Sequence, residues 1–259
     1  MGDARVLLEV EGLTHAYGGL PAVQDVSLRL DVGELVALVG RNGAGKSTLM
    51  RCIAAWSPVS RGDVRILGTS VIRRERRARR HALLVPDTPP FWDDLTAWEH
   101  LRFVAGAHRL ERDWSERAGK LLELFGLEDR RDAFPAGLSR GMRHKLALAM
   151  ALLLHPDLLL LDEPFGPLDP LSASRLWARL VEAAAGGQGV LVSCHQWPAE
   201  AVPDRCIVME GGRVRADGRT ADLVRTYGLP TVTPEGLLRV VVGQAEDEDG
   251  EEPGAGRDG

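Results

Sequence analysis

Two adjacent acids, Asp162 and Glu163, directly follow the aliphatic run Leu158–Leu161. Burying a carboxylate in such surroundings is costly unless a cation or hydrogen-bond donors meet it. A metal ion bound to a phosphate would be such a partner for Asp162, and the acid after it would face an attacking water. The pair therefore predicts metal-assisted hydrolysis, provided that the chain also contains a phosphate-binding element.

Such an element is found at GRNGAGKST, which fits the pattern G-x-x-x-x-G-K-[ST] between a predicted strand and a predicted helix. Its glycines permit backbone angles and close approach that a Cβ would block. The free amides of the turn and of the helix N-terminus face a phosphate anion. Lys46 is expected to reach the β- and γ-phosphates, and Ser47 offers its hydroxyl to Mg²⁺. The predicted nucleotide-binding residues of this turn are Gly40, Arg41, Asn42, Gly43, Ala44, Gly45, Lys46, Ser47 and Thr48.

The position of the acids relative to this turn depends on the order of the strands. We expect the strand that ends at Asp162 to lie directly beside the strand that precedes the turn. Asp162 would then come close to the Mg²⁺ held by Ser47, and both are predicted metal ligands. Glu163 would face the attacking water as general base or water-positioning residue. Glu163 and Lys46 are therefore predicted catalytic residues.

The elements that must position these residues follow from hydrophobic patterning. From Val6 to Leu30 the alternation has a period of two and is interrupted by YGGLP, which predicts strands. The stretch Glu34–Gly40 is apolar on both faces, as in a central parallel strand. Further strands are predicted at DVRILG, LLLLD, VLVSCH and CIVME, and residues from about 91 to 155 have helical spacing. This alternation indicates an α/β domain with an inserted helical block.

Composition narrows the class of protein. A formal net charge of −5 over 259 residues argues against a nucleic-acid partner. The basic run RRERRARRH predicts an exposed helix face or turn, with contact to nucleic acid or acidic lipid as the alternative. Cys52, Cys194 and Cys206 lack the spacing of a disulfide framework or a zinc site. The apolar runs are shorter than the ~20 residues that a membrane-spanning helix needs.

A third motif, LSRGM from Leu138 to Met142, makes the chain resemble the nucleotide-binding subunits of ABC transporters from about Val6 to Val224. The resemblance implies a P-loop NTPase (RecA-like) α/β core with an N-terminal antiparallel β-subdomain and an inserted α-helical subdomain. It implies a nucleotide-binding domain over residues 1–230, with the helical subdomain at about 91–155. Residues 231–259 form an extension whose acidic tail, from about 245, is predicted to be disordered.

The resemblance also implies roles for five further residues. Tyr17 would stack on adenine, and His195 would be a catalytic switch histidine that contacts the γ-phosphate and orients Glu163. Asp169 would be the D-loop aspartate. Ser139 is a good N-cap for the helix that follows, and a helix N-terminus attracts anions. We expect this end, with Ser139 and Gly141, to lie apart from its own P-loop and to serve ATP on a second subunit.

The sequence departs from the family pattern at three places. Arg140 and Met142 replace the usual glycine and glutamine of the signature. Gly166 and Pro167 open the D-loop, where serine is usual. Asp87 replaces the Q-loop glutamine and is predicted to reach the metal through a water.

The surroundings of Asp87 are similar to those in ABC-2-type exporters. The resemblance therefore implies an ATP- and Mg²⁺-dependent ATPase subunit on the inner face of the cell membrane. Its partners would be transmembrane permease subunits and a second nucleotide-binding subunit, in a homodimer or a heterodimer. The alternatives are a non-transport ABC ATPase that acts in DNA repair or on ribosomes, and a nucleotide-binding regulator. The absence of a heptad run and of a second cassette argues against the first alternative. Intact Lys46, Asp162, Glu163 and His195 argue against the second.

Overall fold

The computed structural model describes residues 5–199 and 201–250, with side chains described as far as residue 243. The strands are β1 (Val6–Tyr17), β2 (Leu20–Asp31), β3 (Leu35–Gly40), β4 (Arg61–Ile66), β5 (Thr69–Ser70), β6 (Ala82–Val85), β7 (Leu158–Asp162), β8 (Gly189–Cys194), β9 (Arg205–Glu210) and β10 (Arg213–Arg219). The helices are α1 (Lys46–Ile53), α2 (Glu75–Ala78), α3 (Ala97–Ala107), α4 (Trp114–Phe125), α5 (Arg140–Leu154), α6 (Pro170–Ala185), α7 (Thr220–Tyr227) and α8 (Pro234–Gly250). Two short 3₁₀ turns, Glu128–Arg130 and Pro135–Gly137, lie between α4 and α5.

A six-stranded sheet in the order β10-β9-β3-β8-β7-β6 forms the centre of the fold. Its strands are parallel except for the antiparallel edge strand β10. All six residues of β3 are buried. The prediction of a central parallel strand before the glycine-rich turn is therefore confirmed.

The expected adjacency of β7 and β3 is wrong, because β8 lies between them. Ser193 of β8 pairs with Leu38 of β3 on one side and with Asp162 of β7 on the other. Hydrophobic patterning identifies both β7 and β8 as buried strands, but it does not say which of them neighbours β3. The sheet therefore carries the acids one strand further from the glycine-rich turn than expected.

Two hydrophobic cores cover the two faces of this sheet, since alternate side chains of a strand point in opposite directions. Leu35, Ala37 and Val39 pack in the core that includes the helical block. Val36 and Leu38 pack in the core beneath an antiparallel sheet of order β2-β1-β4-β5. The N-terminal antiparallel subdomain is therefore present, and it lies over one face of the central sheet.

The helical block consists of α3, α4 and α5, which fall within the predicted 91–155 region. A capping box begins α3: the Thr96 hydroxyl accepts a hydrogen bond from the Glu99 N–H, and the Glu99 carboxylate accepts one from the Thr96 N–H. Ser139 caps α5 by accepting a hydrogen bond from the Met142 N–H at 3.2 Å, as predicted from the sequence. Local capping chemistry thus sets where these helices begin.

The remaining segments are the basic run around α2 and the C-terminal helix α8. In the basic run, α2 is one short turn, its arginines are exposed and Ala78 is buried, which confirms the predicted exposed helix face. Helix α8 continues to Gly250, so the beginning of the segment predicted as a disordered tail is helical, whereas residues 251–259 lie outside the described part. Within residues 5–199 and 201–250, every helix is too short or too polar to span a lipid bilayer.

The three cysteines are free and buried. Desolvation raises the pKa of Cys52 and Cys206 to about 11, and it raises the pKa of Cys194 well above its usual value. A buried thiol with a raised pKa stays protonated and unreactive near neutral pH.

Candidate nucleotide-binding and catalytic site

The glycine-rich turn joins the end of β3 to the start of α1 and packs closely against neighbouring backbone. A Cβ on Gly40 would lie 2.6 Å from the carbonyl oxygen of Met209, so no larger residue fits there. Gly45, with φ of 101°, is in the left-handed region, and a Cβ on it would collide with the carbonyl oxygen of Ala22. The turn is therefore held against β2 and β9 with its amides at the N-terminus of α1.

Lys46 is the first residue of α1, and its side chain is almost completely buried. Its Nζ donates hydrogen bonds to the carbonyl oxygens of Gly40 at 2.7 Å and Arg41 at 3.4 Å. The same Nζ lies 3.1 Å from Glu163 Oε1, an ion pair without hydrogen-bond geometry, since this oxygen has no hydrogen-bond partner. Lys46 is thus the cation that compensates one of the two acids.

The two acids at the end of β7 are organised by Ser193 of β8, a residue that sequence reasoning missed. The Ser193 hydroxyl donates a hydrogen bond of 2.6 Å to Asp162 Oδ1. It also accepts a hydrogen bond of 3.0 Å from the N–H of Glu163. Asp162 is 3% exposed and Ser193 is fully buried. One hydroxyl therefore holds the carboxylate of Asp162 and the backbone of Glu163.

Glu163 has a positive φ of 51°, which is uncommon for a residue with a side chain. Its N–H donates to the carbonyl oxygen of Ser193 at 3.1 Å as well as to the hydroxyl. These two contacts hold a strained backbone at the predicted catalytic residue. A signal for Ser193 exists in the sequence, because it is the polar residue in the otherwise apolar strand GVLVSC.

Ser193→Ala is expected to reduce the rate of ATP hydrolysis at saturating ATP about 10- to 100-fold, because it removes a charge-assisted hydrogen bond to a buried carboxylate. The concentration of Mg²⁺ needed for half-maximal activity should rise, while the affinity for ATP changes little. Steady-state kinetics over a Mg²⁺ titration measure both effects.

Ser70→Ala is the matched control for this substitution. The Ser70 hydroxyl also donates to an aspartate, Asp63, at 2.8 Å, but in the antiparallel subdomain. Ser193→Thr keeps the hydroxyl and should retain most activity. A Ser193→Ala protein with unchanged maximal rate and unchanged Mg²⁺ dependence would contradict the role of the hydroxyl.

His195 follows β8 directly and contacts the second acid. Its Nδ1 lies 2.6 Å from Glu163 Oε2, and because a carboxylate only accepts, Nδ1 carries the proton. The backbone N–H of His195 donates to the same oxygen at 3.2 Å. The side chain is about half exposed. Lys46 therefore faces one oxygen of Glu163, and His195 contacts the other.

Tyr17 lies at the end of β1, next to the first turns of α1. Its ring makes an edge contact with His15, with 4.6 Å between the ring centroids. Interaction of its hydroxyl with the Ser57 side chain lowers the pKa of Tyr17, and Thr48 and Arg51 of α1 contribute in the same direction. The side chain is 48% exposed. An exposed aromatic ring beside the phosphate-binding helix is suited to stacking on a base.

The signature and D-loop residues are packed together. A Cβ on Gly141 would lie 2.8 Å from the carbonyl oxygen of Pro167, so the start of α5 contacts the D-loop directly. Asp169 caps α6 by accepting hydrogen bonds from the N–H of Ser172 at 2.9 Å and from its hydroxyl at 2.6 Å. The Lys145 ammonium, 2.7 Å away, is the largest cause of a pKa of Asp169 well below its usual range. Asp169 thus has partners within its own chain.

Asp87 and Arg140, two of the departures from the family pattern, form an ion pair with 3.1 Å between Asp87 Oδ1 and Arg140 Nη2. Both residues line a cleft of about 460 Å³. The other residues that line it are Asn42, Gly141, Glu163, Gly166, Pro167 and His195. We expected the signature end of α5 to lie apart from its own P-loop, but it opens onto a cleft that Asn42 of that loop also lines.

The donor set suits magnesium. Ser47 and Asp162 offer a hydroxyl and a carboxylate oxygen, which are hard ligands of the kind that Mg²⁺ prefers. No group of three or more His, Cys, Asp and Glu side chains in the described part of the chain could hold a metal ion. A magnesium ion here would therefore depend on substrate phosphates and water for its remaining ligands.

Comparison with known proteins gives the family. The family model described as ABC transporter matches residues 23–166. The ABC-type transporter ATP-binding protein EcsA of Bacillus subtilis is 37% identical over 225 residues, which cover 86% of this chain and 91% of EcsA. The chain belongs to the ABC transporter ATP-binding family. As a member, it is an ATP-binding subunit with ATPase activity.

Two further relatives of this ABC cassette are named for opposite directions of transport, one for export and one for import. The Nod factor export ATP-binding protein I of Rhizobium meliloti is 36% identical, over 85% of this chain and 66% of that protein. The sulfate/thiosulfate import ATP-binding protein CysA of Bordetella pertussis is 35% identical, over 87% of this chain and 65% of that protein. ABC ATP-binding subunits of either kind work with transmembrane subunits.

Solved structures of ABC cassettes share the fold. A structure described as the ATP-binding subunit of an ABC transporter superposes with a TM-score of 0.84 at 38% identity, covering 91% of this chain and 99% of that one. A dimeric bacterial ABC transporter cassette superposes with a TM-score of 0.75 at 25% identity, covering 83% and 99%. The P-loop NTPase architecture predicted from the sequence is confirmed.

Proposed function

We propose that this chain is the ATPase subunit of an ABC-2-type exporter, held at the inner face of the cell membrane by separate transmembrane permease subunits. The observation that carries the catalytic part is the arrangement around Glu163, whose two carboxylate oxygens face Lys46 and His195. The direction of transport rests on the acid at Asp87, which the sequence shares with ABC-2-type exporters, and on relatives named for export.

ATP binding in this proposal uses the P-loop, residues 40–48, for the phosphates and Tyr17 for adenine. Lys46 is paired with Glu163 in the structure, so an incoming phosphate competes with that carboxylate for the ammonium. When the phosphate takes this place, Glu163 keeps its contact with His195 and becomes available to a water. The ion pair therefore couples phosphate binding to release of the general base.

In this proposal, each residue of the site has one task in ATP hydrolysis. Glu163 accepts a proton from the attacking water or orients it. His195 fixes the carboxylate and offers its exposed ring to the γ-phosphate. Ser47 and Asp162 would hold Mg²⁺, which neutralises charge on the phosphates when it is bound. Ser193 sets the position of Asp162 and Glu163 through its hydroxyl.

A second nucleotide-binding subunit completes the site in this proposal. The N-terminal amides of α5, at Ser139 and Gly141, would face the γ-phosphate bound to the partner subunit, because a helix N-terminus stabilises negative charge. The Arg140 side chain instead turns to Asp87 of its own chain. Asp169 belongs to the same surface. The partner is an identical or a related cassette, and residues 1–230 form the nucleotide-binding domain.

A pull-down from detergent-solubilised membranes of the natural host, with tagged chain and Mg²⁺-ATP, tests the transport assignment. We expect a polytopic membrane protein without a cassette of its own to co-purify and to stimulate ATP hydrolysis after reconstitution in vesicles. Loss of vesicle ATPase in the Glu163→Gln protein is the control. Co-sedimentation with ribosomes, or the absence of any membrane partner, would favour the non-transport alternative.

A further inference from the structure

Two of the unusual residues of this chain contact each other, although they are more than fifty positions apart. Asp87 follows the end of β6, in the Q-loop position, and Arg140 is the first residue of α5, in the signature. Arg140 Nη2 lies 3.1 Å from Oδ1 and 3.4 Å from Oδ2 of Asp87. One nitrogen of the guanidinium therefore reaches both oxygens of the carboxylate.

The position of Arg140 is not explained by helix stability. A cation in the first turn of a helix is repelled by the positive end of the macrodipole, whereas an anion is attracted there. Both side chains are substantially exposed, and an exposed ion pair contributes little to folding. A role for the guanidinium has to come from the cleft that the pair lines.

The charges in and around this cleft define that role. Glu163 is its second acid, and His195 and Arg140 are its basic residues. An acid at Asp87 opposes the approach of a polyphosphate unless a cation neutralises it. His144, one turn after Arg140, is 1% exposed, and desolvation lowers its pKa so that it is neutral near pH 7. Arg143 and Asp93 line the adjacent groove beside Asp87, but no ion pair joins Arg143 to Asp87 in the described part of the chain.

We propose that Arg140 is a positioning residue for the ATPase reaction: it neutralises Asp87 and holds this carboxylate against α5, so that the cleft accepts the triphosphate of ATP. The acid in the Q-loop position and the arginine in the signature both depart from the family pattern. In this proposal the two departures are coupled, because one residue neutralises the other. This inference rests on the proposed function, because it concerns how the same site admits ATP.

A double-mutant cycle tests the coupling. Arg140→Ala should raise the KM for ATP about tenfold, with a smaller change in kcat, because one nearby negative charge is no longer neutralised. The rise in KM should shrink at high ionic strength. Asp87→Gln should keep hydrolysis within about tenfold of the unmodified chain. In the Asp87→Gln background, Arg140→Ala should change KM by less than about threefold, since the charge it neutralises is gone.

Two further variants separate this coupling from structural damage. Arg140→Lys keeps the charge and should restore most of the ATP affinity. Arg143→Ala removes the same charge three positions along α5 and should leave KM unchanged. Equal effects of Arg140→Ala in both backgrounds, with normal hydrolysis by the unmodified chain, would overturn this inference alone. Failure of the unmodified chain to bind Mg²⁺-ATP would overturn the proposed function and the inference together.

Discussion

Glu163→Gln is expected to bind ATP and to lose hydrolysis by about 10²- to 10⁴-fold, the range that a general base contributes. Glutamine has nearly the same shape as glutamate. Its amide oxygen can still accept a hydrogen bond from the backbone N–H of His195, which in the unmodified chain lies 3.2 Å from Glu163 Oε2. It cannot accept a proton from water, and it no longer competes with phosphate as an anion for Lys46. The ATP-bound state should therefore accumulate, and with it the dimer.

Size-exclusion chromatography of the Glu163→Gln protein with Mg²⁺-ATP, together with an ATPase assay, measures both effects. Glu116→Gln is the matched control, because Glu116 is exposed on α4 and paired with Lys120 away from the site. It should leave hydrolysis and the elution profile unchanged. A Glu163→Gln protein that hydrolyses ATP normally, or that stays monomeric with ATP, would contradict the assigned role.

Lys46→Met is expected to weaken ATP binding about 100-fold or more, because it removes the buried ammonium that we propose as the partner of the phosphates. It should also destabilise the protein without nucleotide by about 1–3 kcal/mol, since one oxygen of a partly buried carboxylate loses its cation. That carboxylate belongs to Glu163, whose Oε1 faces Nζ at 3.1 Å.

The two effects of Lys46→Met can be separated by a second substitution. Adding Glu163→Gln removes the uncompensated charge, so denaturant unfolding of the double variant should recover most of the lost stability. Equilibrium binding of a fluorescent ATP analogue should stay weak in both proteins. Lys120→Met, at an exposed lysine on α4, is the control for unfolding and binding. Unchanged stability of the Lys46→Met protein would show that the ion pair is unimportant for folding.

Local features of this site could be read from the sequence because local physics specifies them. A glycine at position 45 is required by its backbone angle and by the contact with Ala22, and the pattern around Lys46 places that turn between a strand and a helix. Ser139 caps α5 because a serine side chain reaches an N–H three residues later. The acids after β7 predicted a metal ion as the partner of Asp162, whereas the structure gives Asp162 the Ser193 hydroxyl and gives Glu163 the ammonium of Lys46.

Features that join distant segments were decided by the tertiary structure. Periodicity shows that β7 and β8 are buried, but strand order depends on how the whole chain packs, so β8 lies between β3 and β7. This order brings the Ser193 hydroxyl between the two acids. The contact between Asp87 and Arg140 likewise depends on the packing of α5 beside the end of β6. Residue types therefore determined which chemistry the chain can perform, and three-dimensional packing determined which side chains perform it together.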